Sequence, residues 1–272
     1  MLSVIVLTHN EASLIDTCLK SVVGLADEIV VVDDASGDNT VEIARQYTPY
    51  VYIEPMQSFS HQRNFGLLKV SGDWVFYLDA DERVSAGLAD EIKHTMASDT
   101  PRFGAWAIPR ANILLGKLQQ SGWWPDYQIR LFCKQALLEW RGRLHETPHF
   151  AGKLGHLKTP LIHLSHRDIY SMMQKSKLFT DQEAKLRLEA AHPTISWWRL
   201  LRVCASEFLQ QIKLGRWKNG TEGWIEVLFQ TFNMFIIYVR LWELQREESL
   251  PDRYKNIDQK LIKEQFDFSI KS

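Results

Sequence analysis

Cysteine is scarce in this chain. Cys18, Cys133 and Cys204 are widely spaced, odd in number and without a CxxC pattern, which excludes a disulfide framework or a cysteine zinc site and points to a reducing compartment. An excess of one charge is lacking too. Lys and Arg total 32 against 33 Asp and Glu, a net charge of −1, whereas a dedicated nucleic-acid binder carries a basic surplus. Internal repeats and low-complexity tracts are absent. No basic segment or cleavage site precedes the first apolar run at Leu2, so a signal peptide is not expected. Long hydrophobic runs are also missing. The stretch Trp224–Leu244 is broken by Glu226, Gln230 and Asn233, and its longest apolar run, Met234–Val239, is far short of the ~20 residues needed to span a bilayer.

The 272 residues, 45% of them hydrophobic, suffice for one large domain or for a catalytic domain of about 200 residues with an appendage. Leu2–Leu7 is a short β-branched run suited to a buried strand, followed by the polar turn Thr8-His9-Asn10-Glu11. Helical spacing through Leu14, Cys18 and Leu19 stops at Gly24. Glu28–Val32 reads as a second strand ending in Asp33-Asp34, and Asp38 is placed to cap a helix from about Thr40. Val51–Ile53, Ser60–Leu68 and Asp73–Leu78 read as strand, helix and strand, with Ser85 capping a further helix to about Met96. Such alternation predicts an α/β fold, a mostly parallel sheet with crossover helices, whose strand ends carry the ligand site. Between 100 and 166 the pattern loosens, and from Ile169 onward it is helical.

Asp79-Ala80-Asp81 closes an apolar strand. Side chains two apart in an extended chain point the same way, so both carboxylates can face one hard cation, Mg²⁺ or Mn²⁺, that also holds substrate phosphates. A solvated acidic turn is the bland alternative for an isolated DxD. Its neighbours at the other strand ends, Asp33-Asp34 and Asn10-Glu11, add hydrogen-bond acceptors that suit a nucleoside, although Asp33-Asp34 alone would pass for turn chemistry.

The segments VIVLTHNE, EIVVVDDASGDNT, HQRNFGL and DWVFYLDADE stand in the order and spacing of family-two glycosyltransferases, and residues 1–100 resemble that family. Residues 123–132, with Leu144-His145-Glu146, resemble the branch holding lipopolysaccharide core β-1,4-glucosyltransferases. The QxxRW motif of processive synthases is absent. The resemblance implies a GT-A fold and inverting transfer of a sugar, glucose or a similar hexose, from a UDP-type nucleotide-sugar donor to a lipid-linked glycan acceptor, with Mg²⁺ or Mn²⁺ as cofactor.

The resemblance also implies residue roles. Thr8, Asn10, Glu11, Asp33 and Asp34 would line the nucleoside, with Asp34 on uracil or ribose. Asp81 would be the main metal ligand, and Asp79 would lie near the ribose or behind the metal. Arg63 suits a diphosphate. Arg130 is either a phosphate ligand or half of a salt bridge, and His145 either a metal ligand or structural. Two carboxylates compete as general base, Glu146 and Asp126, and the resemblance favours Glu146. The division expected is a GT-A catalytic domain over 1–166 (donor half 1–100, acceptor half 101–166), a helical membrane-associating region over 167–246, and a polar tail over 247–272.

That helical region carries the membrane expectation. Trp197, Leu201, Cys204, Phe208 and Ile212 share one helical face and Arg199, Arg202, Gln210 and Lys213 the opposite one, and Arg199, Arg202, Lys213, Arg216 and Lys218 make five basic residues in the stretch against one acidic one, Glu207. This is the composition of an interfacial helix on the cytoplasmic face of an inner membrane; an interface within a homo-oligomer is the alternative. Rival functions are transfer to a polyprenyl phosphate, whose enzymes often carry true spanning helices, and a phosphoryl-receiver domain, which would need its acidic pair after the first strand.

Overall fold

The structure is a computed structural model that describes residues 1–98, 102–120, 125–143 and 146–262. The chain divides into two compact units, Met1–Asp168 and Ile169–Ser272. In the first unit the chain runs β1 (Leu2–Thr8), α1 (Ile15–Lys20), β2 (Glu28–Asp33), α2 (Thr40–Ala44), β3 (Val51–Ile53), α3 (Phe59–Lys69), β4 (Trp74–Asp79), β5 (Glu82–Arg83) and α4 (Ala86–Ala97). It continues as β6 (Phe103–Leu114), β7 (Lys117–Leu118), β8 (Asp126–Cys133), β9 (Leu137–Arg141), β10 (Thr147–Phe150), β11 (Lys153–His156) and β12 (Leu161–Leu164). The main sheet has the order β3-β2-β1-β4-β8-β6-β12-β5, with β7 and β11 also on β6, and β9 pairs with β10. This is the α/β architecture expected, a sheet with parallel central strands and crossover helices.

The central strands are apolar without alternation because both faces are covered. Val4, Val6, Val31, Phe76 and Leu78 pack with Ile15, Cys18, Leu19, Leu88 and Ile92 of α1 and α4. Their neighbours Ile5, Val30, Val32, Val75 and Tyr77 point to the other face, where Phe65 and Leu67 of α3 lie. Strands β1, β2 and β4 are parallel, with Thr8 opposite Asp33 and Leu7 opposite Asp79, so their carboxyl ends lie at one edge. Helix α3 sits close on the sheet at Gly66: a Cβ there would lie 2.7 Å from Cγ2 of Ile5.

Two expectations need correction here. Asp38 is not the N-cap of α2. Asn39 occupies that position without a side-chain bond, and Asp38 Oδ1 instead accepts from the Thr40 N–H at 3.0 Å. The loose stretch after residue 100 holds long strands. Pro109 and a register shift between Trp106 and Ala107 interrupt the pattern of β6, and β8 runs antiparallel to both β4 and β6.

The second unit consists of α5 (Ile169–Glu189), α6 (Trp197–Lys213), α7 (Thr221–Leu244) and α8 (Leu250–Ile262), with a 3₁₀ turn at Arg216–Asn219. Ala184, Ile195, Ile237, Tyr238 and Leu241 form its core, with Leu200 and Val203 packed against them. Within the stretch expected as a polar tail, Leu250–Ile262 is helical and has no buried residue. Ser249 caps α8, its Oγ accepting from the Asp252 N–H at 3.2 Å. On α6 the buried side runs through Leu200, Val203 and Gln211, and Trp197 and Leu201, on the apolar face expected to meet a membrane, are exposed.

Candidate active site

Three strand ends and two later segments converge at the carboxyl edge of the sheet in the first unit. Arg63, one turn before Gly66 on α3, is almost wholly buried. Its guanidinium lies 4.8 Å from the Trp140 ring centroid and 5.6 Å from that of Tyr77. Nη2 donates to Asp79 Oδ1 at 3.2 Å and Nε to Glu146 Oε1 at 3.1 Å, while Nη1 is buried without a hydrogen-bond partner. One cation thus ties the first DxD carboxylate to the preferred base candidate.

Arg130 is equally buried, and its Nη2 donates to both Asp79 Oδ2 and Glu82 Oε1, the latter at 2.8 Å. Of the two readings, the salt bridge holds, and Arg130 is not open to a phosphate. Burial alone would raise the Asp79 carboxyl, but Arg130 and Arg63 outweigh it and hold the group well below the usual carboxylate range. For fully buried Glu82 the balance is reversed: burial prevails over the attraction of Arg130, and the carboxyl is pushed up. Both oxygens of Asp79 thus lie on guanidiniums, an arrangement that orients the carboxylate.

Asp81 instead faces His163, a residue the sequence reading missed, with Oδ2 3.6 Å from Nε2. Asn112 Nδ2 donates to Asp126 Oδ2 at 3.1 Å, leaving Asn112 Oδ1 to accept from His163 Nδ1 at 2.6 Å. That network has His163 Nδ1 donating to Asn112 Oδ1. A carboxylate and an imidazole side by side are ligand types that a divalent cation takes. Among the described residues no group of three or more His, Cys, Asp or Glu could hold a metal alone. His145, the expected ligand, lies outside the described residues, as do Trp123, Trp124 and Leu144.

The competing base is placed elsewhere in function. Asp126 Oδ2 accepts from Arg110 Nε at 2.9 Å, Arg110 Nη2 at 2.7 Å and Asn112, and Oδ1 accepts from Gln128 at 2.8 Å. Burial opposes its ionisation, yet Arg110 and the amides win and lower its pKa. A carboxylate so saturated has the surroundings of a structural counterion, which favours Glu146 over Asp126 as the base candidate.

On the nucleoside side the residues divide. Asp33 is fully buried and closes its own turn, accepting from Ser36 N at 2.8 Å and Ser36 Oγ at 2.6 Å, so it leaves the set of donor ligands. Asp34 is turned outward, taking Met56 N at 2.6 Å and lying 3.4 Å from His9 Nδ1. Asn10, at φ 52°, holds the same turn: its Oδ1 accepts from Gly37 N at 2.8 Å and its N–H donates to Ser36 Oγ. Glu11 is held by Arg167 at 3.1 Å. Thr8 Oγ1 is buried without a hydrogen-bond partner.

Residues 3–113 match the sequence model described as "Glycosyl transferase family 2". An uncharacterised glycosyltransferase of Rickettsia typhi is 28% identical over 271 residues, 94% of this chain and 92% of that one. The lipopolysaccharide core biosynthesis glycosyltransferase LpsC of Rhizobium meliloti is 24% identical, covering 92% and 95% of the two chains. Among solved structures, S. aureus TarS residues 1–349 with UDP-GlcNAc align over 97% of this chain and 92% of that one, at 16% identity and a TM-score of 0.47.

Proposed function

Proceeding from residues 3–113 as a glycosyltransferase family 2 domain, we propose that the enzyme transfers a hexose, glucose or one similar, from a uridine-diphosphate donor to the inner core of lipopolysaccharide with inversion at the anomeric carbon. The observation that carries this reading is the meeting of Asp79, Asp81, Arg63, Glu146 and His163, drawn from four separate segments, at the ligand-binding edge of the sheet. The likeness to LpsC supports the acceptor.

Asp34, at the rim, takes the uracil or ribose, and Thr8 offers its unpaired hydroxyl beside it. Glu146 removes the proton of the acceptor hydroxyl while that oxygen attacks the anomeric carbon and the bond to the diphosphate breaks. Arg63 fixes the Glu146 carboxylate and sets its positive charge beside the leaving group. Asp81 and His163 would hold Mg²⁺ or Mn²⁺, which when bound supplies the remaining charge for the departing diphosphate. The helical unit, with its tryptophans and basic residues, keeps the enzyme at the cytoplasmic surface of the inner membrane, where a lipid-linked acceptor is presented.

The deciding test is a panel of nucleotide sugars assayed for turnover against lipopolysaccharide core and polyprenyl phosphate, with Mg²⁺ and with excess chelator. Metal-dependent release of UDP with transfer to the core is the expected result. Turnover unaffected by chelator overturns the metal assignment, and transfer to the polyprenyl phosphate alone overturns the acceptor.

A further inference from the structure

Helix α7 has two unlike faces. Trp224, Leu228, Phe232, Phe235 and Trp242 are all exposed. At 3.6 residues per turn they fall within an arc of about 80° and run roughly 27 Å along the axis. The polar residues that break the apolar run lie on the opposite side, and each is answered within the helical unit. Arg216 Nη1 donates to Glu226 Oε1 at 2.8 Å, and Gln230 Nε2 to the same oxygen at 3.0 Å. Ser176 bonds Asn233, and Arg240 Nε donates to Asp181 Oδ1 at 2.8 Å. Only 22% of the most apolar eighteen-residue stretch of α7 is buried, where the core helix of a globular unit is mostly buried.

Helix α6, packed beside it, repeats the arrangement. Trp197, Trp198, Leu201 and Leu209 are exposed, the two indoles stacked 3.8 Å apart. Arg202 and Lys213 share that outward side, and the one acidic residue of the helix, Glu207, is turned to Gln211. No carboxylate lies within either outward arc.

We propose that the outward faces of α6 and α7 form a lipid-binding surface for an anionic leaflet, with α7 lying in the plane of the bilayer and not across it. This inference rests on the membrane part of the proposed function and deepens it by naming the surface and its depth. The aromatic and aliphatic side chains enter the boundary between headgroups and acyl chains, while Arg202 and Lys213 meet the phosphates. In-plane placement follows from the one-sided apolar stripe: a spanning helix would put the Glu226, Asn233 and Arg240 side at bilayer depth. A second copy of the chain is the poorer occupant, since a self-complementary contact would set Arg202 and Lys213 against their own copies with no acid in the arcs to answer them. The surface differs from the one expected of the sequence in that Arg216 is spent on Glu226.

The test is co-sedimentation of the full-length protein with vesicles of phosphatidylcholine alone and of phosphatidylcholine mixed with phosphatidylglycerol. The intact chain is expected to bind the mixed vesicles and to be released by alkaline carbonate. The double variant Leu228→Gln/Phe232→Gln should lose at least about tenfold in partitioning, Arg202→Glu/Lys213→Glu should lose the preference for the anionic lipid, and Tyr254→Gln on α8 should bind as the parent does. Parental binding by the double variant overturns the surface. Resistance of the intact chain to carbonate overturns the in-plane placement, and a lipid-free dimer weakened by the same double variant assigns the surface to a second copy instead. Turnover of the nucleotide sugar with delipidated core is read alongside: its persistence in the double variant separates failure of the surface from failure of the donor site.

Discussion

The two units of the chain invert the usual placement of side chains in opposite ways. The α/β unit buries charge: Arg63, Glu82 and Arg130 are each under 5% exposed and meet Asp79 or one another at the sheet edge. The helical unit exposes apolar surface: Trp198 is 66% and Leu228 58% accessible. Each departure carries a cost in water, and each falls where a proposed ligand would offset it, a nucleotide sugar in one case and a lipid leaflet in the other. A globular chain selected for stability alone would show neither.

The sharpest way to break the first half of this comparison is Asp81→Ala. Loss of a metal ligand removes charge stabilisation worth several kcal/mol, on the order of a thousandfold or more in rate. The melting temperature should stay near that of the parent. Steady-state turnover with Mn²⁺, paired with a thermal melt, checks both parts. Close behind comes Glu146→Gln, expected to retain donor binding and to lose roughly 10²–10⁴-fold in kcat.

Asp126→Asn should separate from Glu146→Gln by failing in stability instead of chemistry. Its carboxyl is held below the ordinary 3.8 in the folded state, so it contributes stability that is full above the unfolded value and is lost as the pH falls through about 4 toward the lower folded one. Acid unfolding of the variant should therefore lose part of its pH dependence in that window, while kcat at neutral pH changes far less than in Glu146→Gln. A variant rate as low as that of Glu146→Gln would return Asp126 to the catalytic role.

Arg130→Met probes the buried charge directly. It leaves Asp79 and Glu82 side by side without their shared cation, and breaking a buried pair in this way costs about 3–5 kcal/mol. Chemical denaturation should show the loss in full. Gly66→Ala tests how closely α3 must approach to deliver Arg63. The new methyl meets Ile5 Cγ2 at 2.7 Å and Val32 Cγ2 at 3.3 Å, both on the sheet, so a destabilisation of about 1–3 kcal/mol is expected.

What could be read in the sequence follows from how local each signal is. Strands β1, β2 and β4 show as apolar runs ended by acid, and the DxD needs only period-two geometry to be recognised. The second half of the sheet does not declare itself, because Pro109 sits inside β6 and the partners of β8 are far away in sequence. Glu82 and Arg130 read as ordinary charges, and only the fold, bringing together positions 48 apart, makes them a buried pair. His163 lies in a four-residue strand with no motif around it, and its relation to Asp81 depends on the pairing of β12 with β5 and β6. Helix α8 had a legible signal that went unread: Ser249-Leu250-Pro251-Asp252 is a capping sequence with proline in the first turn.

The smallest expected effect bears on the other half of the comparison. If the outward stripe of α7 is held for a leaflet, its side chains contribute little to folding in water, since they are nearly as exposed in the native state as in the unfolded one. Leu228→Gln/Phe232→Gln should then change stability in lipid-free buffer by no more than about 0.5 kcal/mol per site. Ile237→Gln, of similar chemistry on the buried side of the same helix, should cost several times more, because it removes packed apolar surface and buries an amide among Ala184, Ile195 and Leu241. Melts of the two variants side by side decide the matter. An equal loss in both would mean that the outward stripe is covered by protein in solution, and the contrast between buried charge and exposed apolar surface would then hold for the α/β unit alone.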